Sequence, residues 1–203
     1  MTKAKNKSLA LVIKRIIDVT GAGFALIIFL PIFIVISLII RRDGGHAIFK
    51  QPRIGKSGRI FPCYKFRSMC VGAEGILAEH AQKSEEWQKF QKLKNDARIT
   101  KIGEFIRYAS VDELPQLLNV LKGDMSFVGP RPILPGQETY YGEDFRYYTS
   151  VKPGITGPWQ VNGRNKLTFD ERVILECDYA RNWSIAGDMI ILFRTLPAIL
   201  QGA

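Results

Sequence analysis

The longest apolar run in the sequence covers residues 19–40 and contains no ionisable side chain in 22 residues. A helix of that length is roughly 33 Å long, close to the ~30 Å thickness of the hydrocarbon core of a bilayer. The pattern therefore predicts a helix that enters a membrane. A secretory signal fits less well, because Arg41 and Arg42 follow the run in place of a small-residue cleavage site.

Two features favour a helix that enters the membrane and returns to the same face. Basic residues flank the run on both sides, with Lys14 and Arg15 before it and two arginines after it. The positive-inside rule places Lys and Arg on the cytoplasmic side, and a spanning helix cannot have both of its basic ends there. Pro31 lies near the middle, where it removes one backbone donor and predicts a kink. A kinked helix that crosses the bilayer is the alternative, and the pattern leaves both open.

The rest of the chain combines short apolar segments, turn residues and amphipathic stretches. Residues 47–51 and 59–66 are predicted strands joined by a Gly-Lys-Ser-Gly turn, and residues 72–94 predict a polar helix or pair of turns. The apolar segment at 185–200 fits either the core or the headgroup layer. Helices are predicted near 102–106 and at 110–121, 169–181 and 185–200, and ordered Gly/Pro-rich loops at 129–163.

These elements predict an α+β fold that is mostly helical. A chain of 203 residues is long enough for one domain with a buried core. We expect a basic N-terminal segment (1–18), a re-entrant membrane helix broken at Pro31 (19–40), and a small membrane-associated domain (41–203). That domain is expected to contain a short β-hairpin and the ordered loops.

Composition narrows the choice of partners. The 29 basic and 19 acidic residues give a net charge of +10, which favours nucleic acid, a phosphorylated ligand or acidic lipid. Residues 1–40 hold five basic side chains and one acidic side chain, which leaves +6 for the remaining 163 residues, without a concentrated basic run. Three cysteines without C-x-x-C spacing are expected to be reduced core residues, and two histidines disfavour a His-rich zinc site.

The sharpest local signal is the adjacent pair Asp112 and Glu113. A structural explanation exists, because Ser110 and Glu113 have capping-box spacing and acids are favoured in the first turn of a helix. Pro115 complicates it, since a proline at the fifth helical residue would lose its hydrogen bond to Val111. A helix that begins at Pro115 would instead leave both acids on the turn before it.

The chemical interpretation of this pair is attack on phosphorus. A carboxylate can form an acyl phosphate, but it repels an anionic phosphate, so the site must supply positive charge. Mg²⁺ held by carboxylates and bidentate arginines can do so. Arg131 is singled out because flanking prolines fix its backbone, although a solvated loop arginine is equally consistent. The loop from Trp159 to Arg164 could hold a base or sugar, or could simply be packed.

Seven segments, taken in order along the chain, resemble the bacterial sugar transferase family, and the resemblance extends from about residue 14 to residue 200. These are the monotopic phosphoglycosyl transferases that start undecaprenyl-linked glycans. Each motif is weak alone, but the ordered set is specific. The segments are Arg53-Ile-Gly55, Tyr64-Lys-Phe-Arg67-Ser-Met69, Asp96-Ala-Arg98-Ile-Thr100, Ser110-Val-Asp112-Glu113-Leu-Pro115-Gln116-Leu, Lys122-Gly-Asp124-Met-Ser126-Phe-Val-Gly-Pro130-Arg131-Pro132, Pro153-Gly154-Ile-Thr-Gly157 and Asn182-Trp183-Ser184.

The resemblance implies a two-step transfer of a sugar-1-phosphate from a UDP-sugar to polyprenyl phosphate, with release of UMP, and a hexose is the expected sugar. Asp112 matches the nucleophile, Glu113 matches its partner, and the pair is tied to Mg²⁺. Arg131 matches the arginine associated with the nucleotide-sugar. The other predicted substrate-binding residues are Lys65, Arg67, Arg107, Arg164 and Asp188.

The resemblance also implies a location. The family anchor is a re-entrant helix broken at a proline, which fits Pro31, although Leu30 stands where members often carry serine. We expect both the N-terminus and the catalytic domain on the cytoplasmic face of the bacterial inner membrane, against anionic phospholipid, without a nucleic-acid partner. Oligomerisation is left open, and the chain is expected to be a minimal catalytic form or a fragment. A membrane-anchored binding module for nucleic acid or acidic lipid, and an inactive scaffold, are the competing hypotheses.

Overall fold

The computed structural model describes residues 2–73, 75, 96 and 98–200. Within them the chain is mostly helical, as predicted, and it contains two small sheets. The helix predicted at 72–94 lies almost wholly outside the described residues. The helices are α1 (Thr2–Ile40), α2 (Lys101–Tyr108), α3 (Gln116–Lys122), α4 (Phe145–Tyr148), α5 (Pro158–Val161), α6 (Phe169–Arg181) and α7 (Ile185–Leu200). The strands are β1 (Ile48–Ile54), β2 (Ile60–Phe66), β3 (Ser126–Val128) and β4 (Gly154–Thr156).

Helix α1 is longer than the apolar run and continues through Pro31. It includes most of the predicted N-terminal segment, and its part Ser8–Ile40 is long and apolar enough to cross a membrane. The prediction that the helix breaks at Pro31 is wrong in this respect, since the residues on both sides stay helical. A proline removes one backbone hydrogen bond, and a long apolar helix tolerates that loss. The re-entrant course itself stays a prediction.

One stripe of α1 packs against the rest of the molecule. Ala22 lies buried against β2 and α3, and Ile36 and Ile40 lie buried against β2 and α2. The opposite face is apolar and open, with Phe24 and Ile27 at 67% and 73% exposure. The helix therefore has one apolar face for the protein and another without a protein partner among the described residues.

Three charged side chains attach the first half of α1 to the domain. Nζ of Lys14 lies 2.5 Å from a carboxylate oxygen of Asp188 on α7. Arg15 donates to the last carbonyl oxygens of α3 at 2.6 and 2.8 Å. Asp18, which is buried, accepts from a hydroxyl and a backbone amide of β3, both at 2.9 Å. Lys14 and Arg15 are thus engaged within the protein, and they are not simply charges that flank a membrane segment.

The predicted β-hairpin is confirmed. Strands β1 and β2 pair antiparallel from Ile48 opposite Phe66 to Ile54 opposite Ile60, and β1 runs three residues beyond its predicted end. The helices predicted at 169–181 and 185–200 are observed with the same bounds as α6 and α7. The hairpin matters for the site because β2 carries Lys65.

Strands β3 and β4 form a parallel pair that was not predicted, and β4 lies within the region predicted as loops. Ser126 on β3 pairs with Gly154 on β4, and Val128 pairs with Thr156. The two backbones approach so closely that a Cβ at Gly154 would lie 2.1 Å from the amide nitrogen of Gly129. Strands of three residues show no alternation of apolar and polar positions, and their glycines look like loop residues. The sequence pattern therefore misses this sheet.

Gly154→Ala is expected to lower the free energy of unfolding by about 1–3 kcal/mol, because the added methyl group would overlap backbone atoms that cannot move aside. Thermal unfolding in detergent measures this. Gly23→Ala is the matched control: no described atom lies within 4 Å of a Cβ at Gly23, and alanine favours a helix. Equal stability of the two variants would contradict the close approach of the strands.

Candidate active site

The adjacent acids lie on a tight turn between two helices. After α2 the chain takes a left-handed conformation at Ser110 (φ 55°), and a 3-10 turn, Val111–Glu113, follows. Helix α3 begins at Gln116, with Pro115 as its N-cap residue. The capping box predicted for Ser110 is wrong, because its side chain makes no capping hydrogen bond and its backbone is not extended. The alternative start of the helix, which leaves Asp112 and Glu113 on the turn before it, is confirmed.

Glu113 is the electrostatic centre of the site. Its Oε1 lies 2.9 Å from Nζ of Lys65 and 3.4 Å from a guanidinium nitrogen of Arg131. Burial by itself raises the pKa of Glu113, but the two cations outweigh burial and lower the pKa to about 2. Glu113 is therefore ionised at neutral pH. It binds the hairpin through Lys65, and through Arg131 it binds residues 130–132, the Pro-Arg-Pro loop, at the turn.

Asp112 has the opposite electrostatic environment. Burial, followed by the negative charge of Glu113, raises the pKa of Asp112 to about 6, although Lys65 and Arg107 oppose the shift. The side chain is half-buried, and it accepts no hydrogen bond from the part of the chain that the structure describes. At neutral pH the carboxylate is mostly ionised, and no donor among the described residues occupies its oxygens. These are properties that a nucleophile needs.

Two further cations lie at the site. Arg107 donates from Nε to the hydroxyl of Ser68 at 2.8 Å, and its charge lowers the pKa of Asp112. Arg53, the first residue of the Arg53-Ile-Gly55 motif and not a predicted site residue, lies on β1. Its signal in the sequence was weak, because a lone arginine in a strand is usually a surface charge.

Arg53 is half-buried. It donates to the carbonyl of Pro132 at 2.9 Å and to the side chain of Gln51 at 2.6 Å, while its Nε is buried without a partner among the described residues. Burial, and then the charge of Arg131, lower its pKa to about 10, so it remains a cation at neutral pH. We call the adjacent acids Asp112 and Glu113 the dyad. The pocket beside it is lined by Arg53, Cys63, Lys65, Glu113, Gln116 and Arg131, together with Pro132 and Gly154.

Three predicted substrate-binding residues have other contacts. Arg67 donates to the carbonyl at the end of α1, at 3.0 Å, and to two further carbonyls. It lies just beyond the end of β2, so strand alternation does not carry it to the face of Lys65. Arg164 donates to a backbone carbonyl of α5 at 3.3 Å. Asp188 is buried and binds Lys14. The structure therefore brings Lys65, Arg107 and Arg131 to the dyad, and it gives Arg67, Arg164 and Asp188 contacts within the fold.

The acids fit Mg²⁺ on the chemistry of the donors. Mg²⁺ usually binds one or two carboxylates and takes its other ligands from phosphate and water. Asp112 offers oxygens without protein donors, whereas Glu113 already accepts from Lys65. In the described part of the chain, no three side chains of His, Cys, Asp or Glu form a cluster. The dyad would therefore supply at most two carboxylate ligands to Mg²⁺.

Comparison with known proteins identifies the family. The family model for bacterial sugar transferases matches residues 9–202, so the chain belongs to the bacterial sugar transferase family. The chain is 47% identical over 193 residues to the undecaprenyl-phosphate galactose phosphotransferase of Salmonella typhimurium, an alignment that covers 93% of this chain and 40% of that protein. The chain thus spans about two fifths of the length of that relative.

Two relatives are matched over more of their length. The exopolysaccharide production protein ExoY of Rhizobium meliloti is 40% identical over 191 residues, which cover 92% of this chain and 84% of the relative. The UDP-glucose:undecaprenyl-phosphate glucose-1-phosphate transferase of Caulobacter vibrioides is 36% identical over 196 residues, which cover 92% of this chain and 69% of the relative. The resemblance drawn from the ordered motifs is confirmed at the level of the family.

We predict that the Asp112 carboxyl of the metal-free protein titrates with a pKa of about 6, well above its ordinary value. Its nucleophilic form is therefore lost as the pH falls through about 6. Infrared difference spectra between wild type and Asp112→Asn isolate this carboxyl. Lys65→Met should move the pKa still higher, because the charge of Lys65 lowers it. A pKa near 4, unchanged in Lys65→Met, would contradict the electrostatic description.

Proposed function

We propose that this chain transfers a sugar-1-phosphate, with a hexose as the expected sugar, from a UDP-sugar to polyprenyl phosphate and releases UMP. This would be the first membrane step in the synthesis of a surface polysaccharide or glycoconjugate. The observation that carries the proposal is the half-buried Asp112 carboxylate, which accepts no hydrogen bond from the described residues and lies beside several cations. The names of two relatives, a galactose phosphotransferase and a UDP-glucose-dependent transferase that both act with undecaprenyl phosphate, support the substrate classes.

The transfer is a double displacement at one phosphorus atom. A carboxylate oxygen of Asp112 attacks the sugar-bearing phosphorus of the donor, the bond from that phosphorus to the bridging oxygen breaks, and UMP leaves with the electron pair. An oxygen of polyprenyl phosphate then attacks the same phosphorus. The bond to Asp112 breaks, which restores the carboxylate and releases the polyprenyl diphosphosugar.

The cations of the pocket counter the repulsion between the carboxylate and the diphosphate. Lys65 and Arg131 are held in place by Glu113, and Arg107 lies near Asp112. Preorganised positive charge of this kind stabilises the charge that develops during transfer. Mg²⁺, when bound, would neutralise charge on the donor diphosphate.

We also propose that the chain lies on one face of the membrane. Support comes from α1, because its charged residues near Lys14 and its last residue, Ile40, both contact the same domain. One domain cannot stand on both sides of a bilayer, so a helix attached to it near both ends favours the same face for both of those ends. Arg41 and Arg42, which follow α1, are exposed and favour the cytoplasmic side. The open apolar face of α1 is the surface we assign to lipid.

Asp112→Asn is expected to abolish both the covalent adduct and UMP release, with a loss of turnover on the order of 10⁴-fold or more. Intact-mass spectrometry after mixing with UDP-glucose, UDP-galactose or an N-acetylated donor, with Mg²⁺ and without lipid acceptor, measures the adduct. Wild type should gain one phosphosugar and release one UMP.

Asp170→Asn is the matched control, because Asp170 is exposed on α6 and should leave adduct formation unchanged. A mass gain in Asp112→Asn would contradict the assignment of the nucleophile. Absence of UMP release from every donor, together with salt-sensitive binding of nucleic acid, would instead favour the non-enzymatic binding module.

A further inference from the structure

Glu176 on α6 is a fully buried carboxylate that the proposed reaction does not use. Its Oε1 accepts from the backbone nitrogen of Arg131 at 3.0 Å and from Nε of Arg172 at 3.0 Å. Its Oε2 accepts a short hydrogen bond from the hydroxyl of Tyr141. A buried charge is costly unless it is paired and hydrogen-bonded, so each of these partners is needed to keep Glu176 inside the protein.

Two residues of α6, Arg172 and Glu176, bind the two backbone polar groups of Arg131. Glu176 binds the backbone N–H of Arg131, and Arg172 donates to its carbonyl oxygen at 3.2 Å. Burial acts to lower the pKa of Arg172, but the neighbouring Glu176 raises it above its ordinary value, so Arg172 is a permanent cation. Pro130 and Pro132, which flank Arg131, fix its backbone further and carry no amide hydrogen.

The side chain of Arg131 packs against the aromatic ring of Trp159. Its guanidinium lies 5.0 Å from the ring centroid of Trp159, and the guanidinium of Arg172 lies 5.4 Å from the same centroid. From this position Arg131 reaches Glu113 at 3.4 Å. A contiguous set of contacts therefore runs from the middle of α6 to the dyad.

We propose that Glu176 and Arg172 are positioning residues, which hold the Arg131 backbone so that its guanidinium meets Glu113 and the diphosphate of the donor. The proposal rests on the proposed function, because that function supplies the donor diphosphate that Arg131 would bind. The competing interpretation is that Glu176 and Arg172 form an ordinary buried ion pair, which stabilises α6 and has no particular effect on Arg131.

Amide hydrogen exchange tests the geometry without any turnover. Arg131 carries the sole backbone amide hydrogen between Gly129 and Ile133, because both neighbours are prolines. In Glu176→Gln its exchange should accelerate about tenfold or more, because a charge-assisted hydrogen bond is weakened. Asp144→Asn is the matched control: it removes the exposed ion pair between Asp144 and Arg181 of α6, and it should leave the Arg131 amide unchanged.

Coupled substitutions test the role in the reaction. In the protein that retains Arg131, Glu176→Gln should slow the first turnover of UMP release about tenfold or more, with less than a twofold change in KM. In an Arg131→Ala background the same substitution should cost less than about twofold, because the residue it positions is gone. A purely structural pair would instead give losses that multiply in the two backgrounds.

A folding failure of Glu176→Gln does not end the test. Arg172→Lys then takes its place in both measurements, because an ammonium group cannot donate to Glu176 and to the Arg131 carbonyl in the same way as a guanidinium. Unchanged exchange at Arg131, or losses that multiply, would overturn the proposal. If wild type never releases UMP, the proposed function fails, while the exchange rate of the Arg131 amide still decides whether Glu176 positions that residue.

Discussion

The attraction between ionised Glu113 and its two cations, Lys65 and Arg131, is the interaction on which the rest of the site depends. It brings β2 and the Pro-Arg-Pro loop to the turn between α2 and α3. It also separates the properties of two adjacent carboxylates, because the pKa of Glu113 falls to about 2 while that of Asp112 rises to about 6. One acid holds the cations, and the other keeps its oxygens available. Such divergence of neighbouring pKa values is typical of sites that assign different roles to like residues.

The second constraint is the attachment of α1. Lys14, Arg15 and Asp18 bind α7, α3 and β3, and farther along the helix Ile36 and Ile40 are buried in the domain. The apolar helix is therefore part of the domain's own packing. In the proposed function this arrangement keeps a pocket for a soluble nucleotide-sugar in the same domain as a surface for lipid, which a transfer from one to the other requires.

The sequence predicted the features that have a local cause. Helices α6 and α7 follow from their apolar spacing, and the position of Pro115 explains why the acids precede α3. Features that depend on distant parts of the chain escaped it. The spacing of Arg172 and Glu176 resembles a solvated pair on a helix, and only the packing of α6 against the Pro-Arg-Pro loop buries it. Likewise, nothing near Arg67 in the chain shows that its side chain binds the end of α1.

The central claim is that Asp112, and not its neighbour Glu113, becomes esterified by phosphorus. The most direct measurement is to treat the protein with hydroxylamine after it has reacted with a UDP-sugar, and to map the resulting hydroxamate by tandem mass spectrometry. Hydroxylamine cleaves an acyl phosphate and converts the carboxyl group that carried the phosphate into a hydroxamate. Our account predicts a hydroxamate on Asp112 that appears only after exposure to the donor. A hydroxamate on Glu113, or donor-dependent UMP release with no hydroxamate at all, would contradict it.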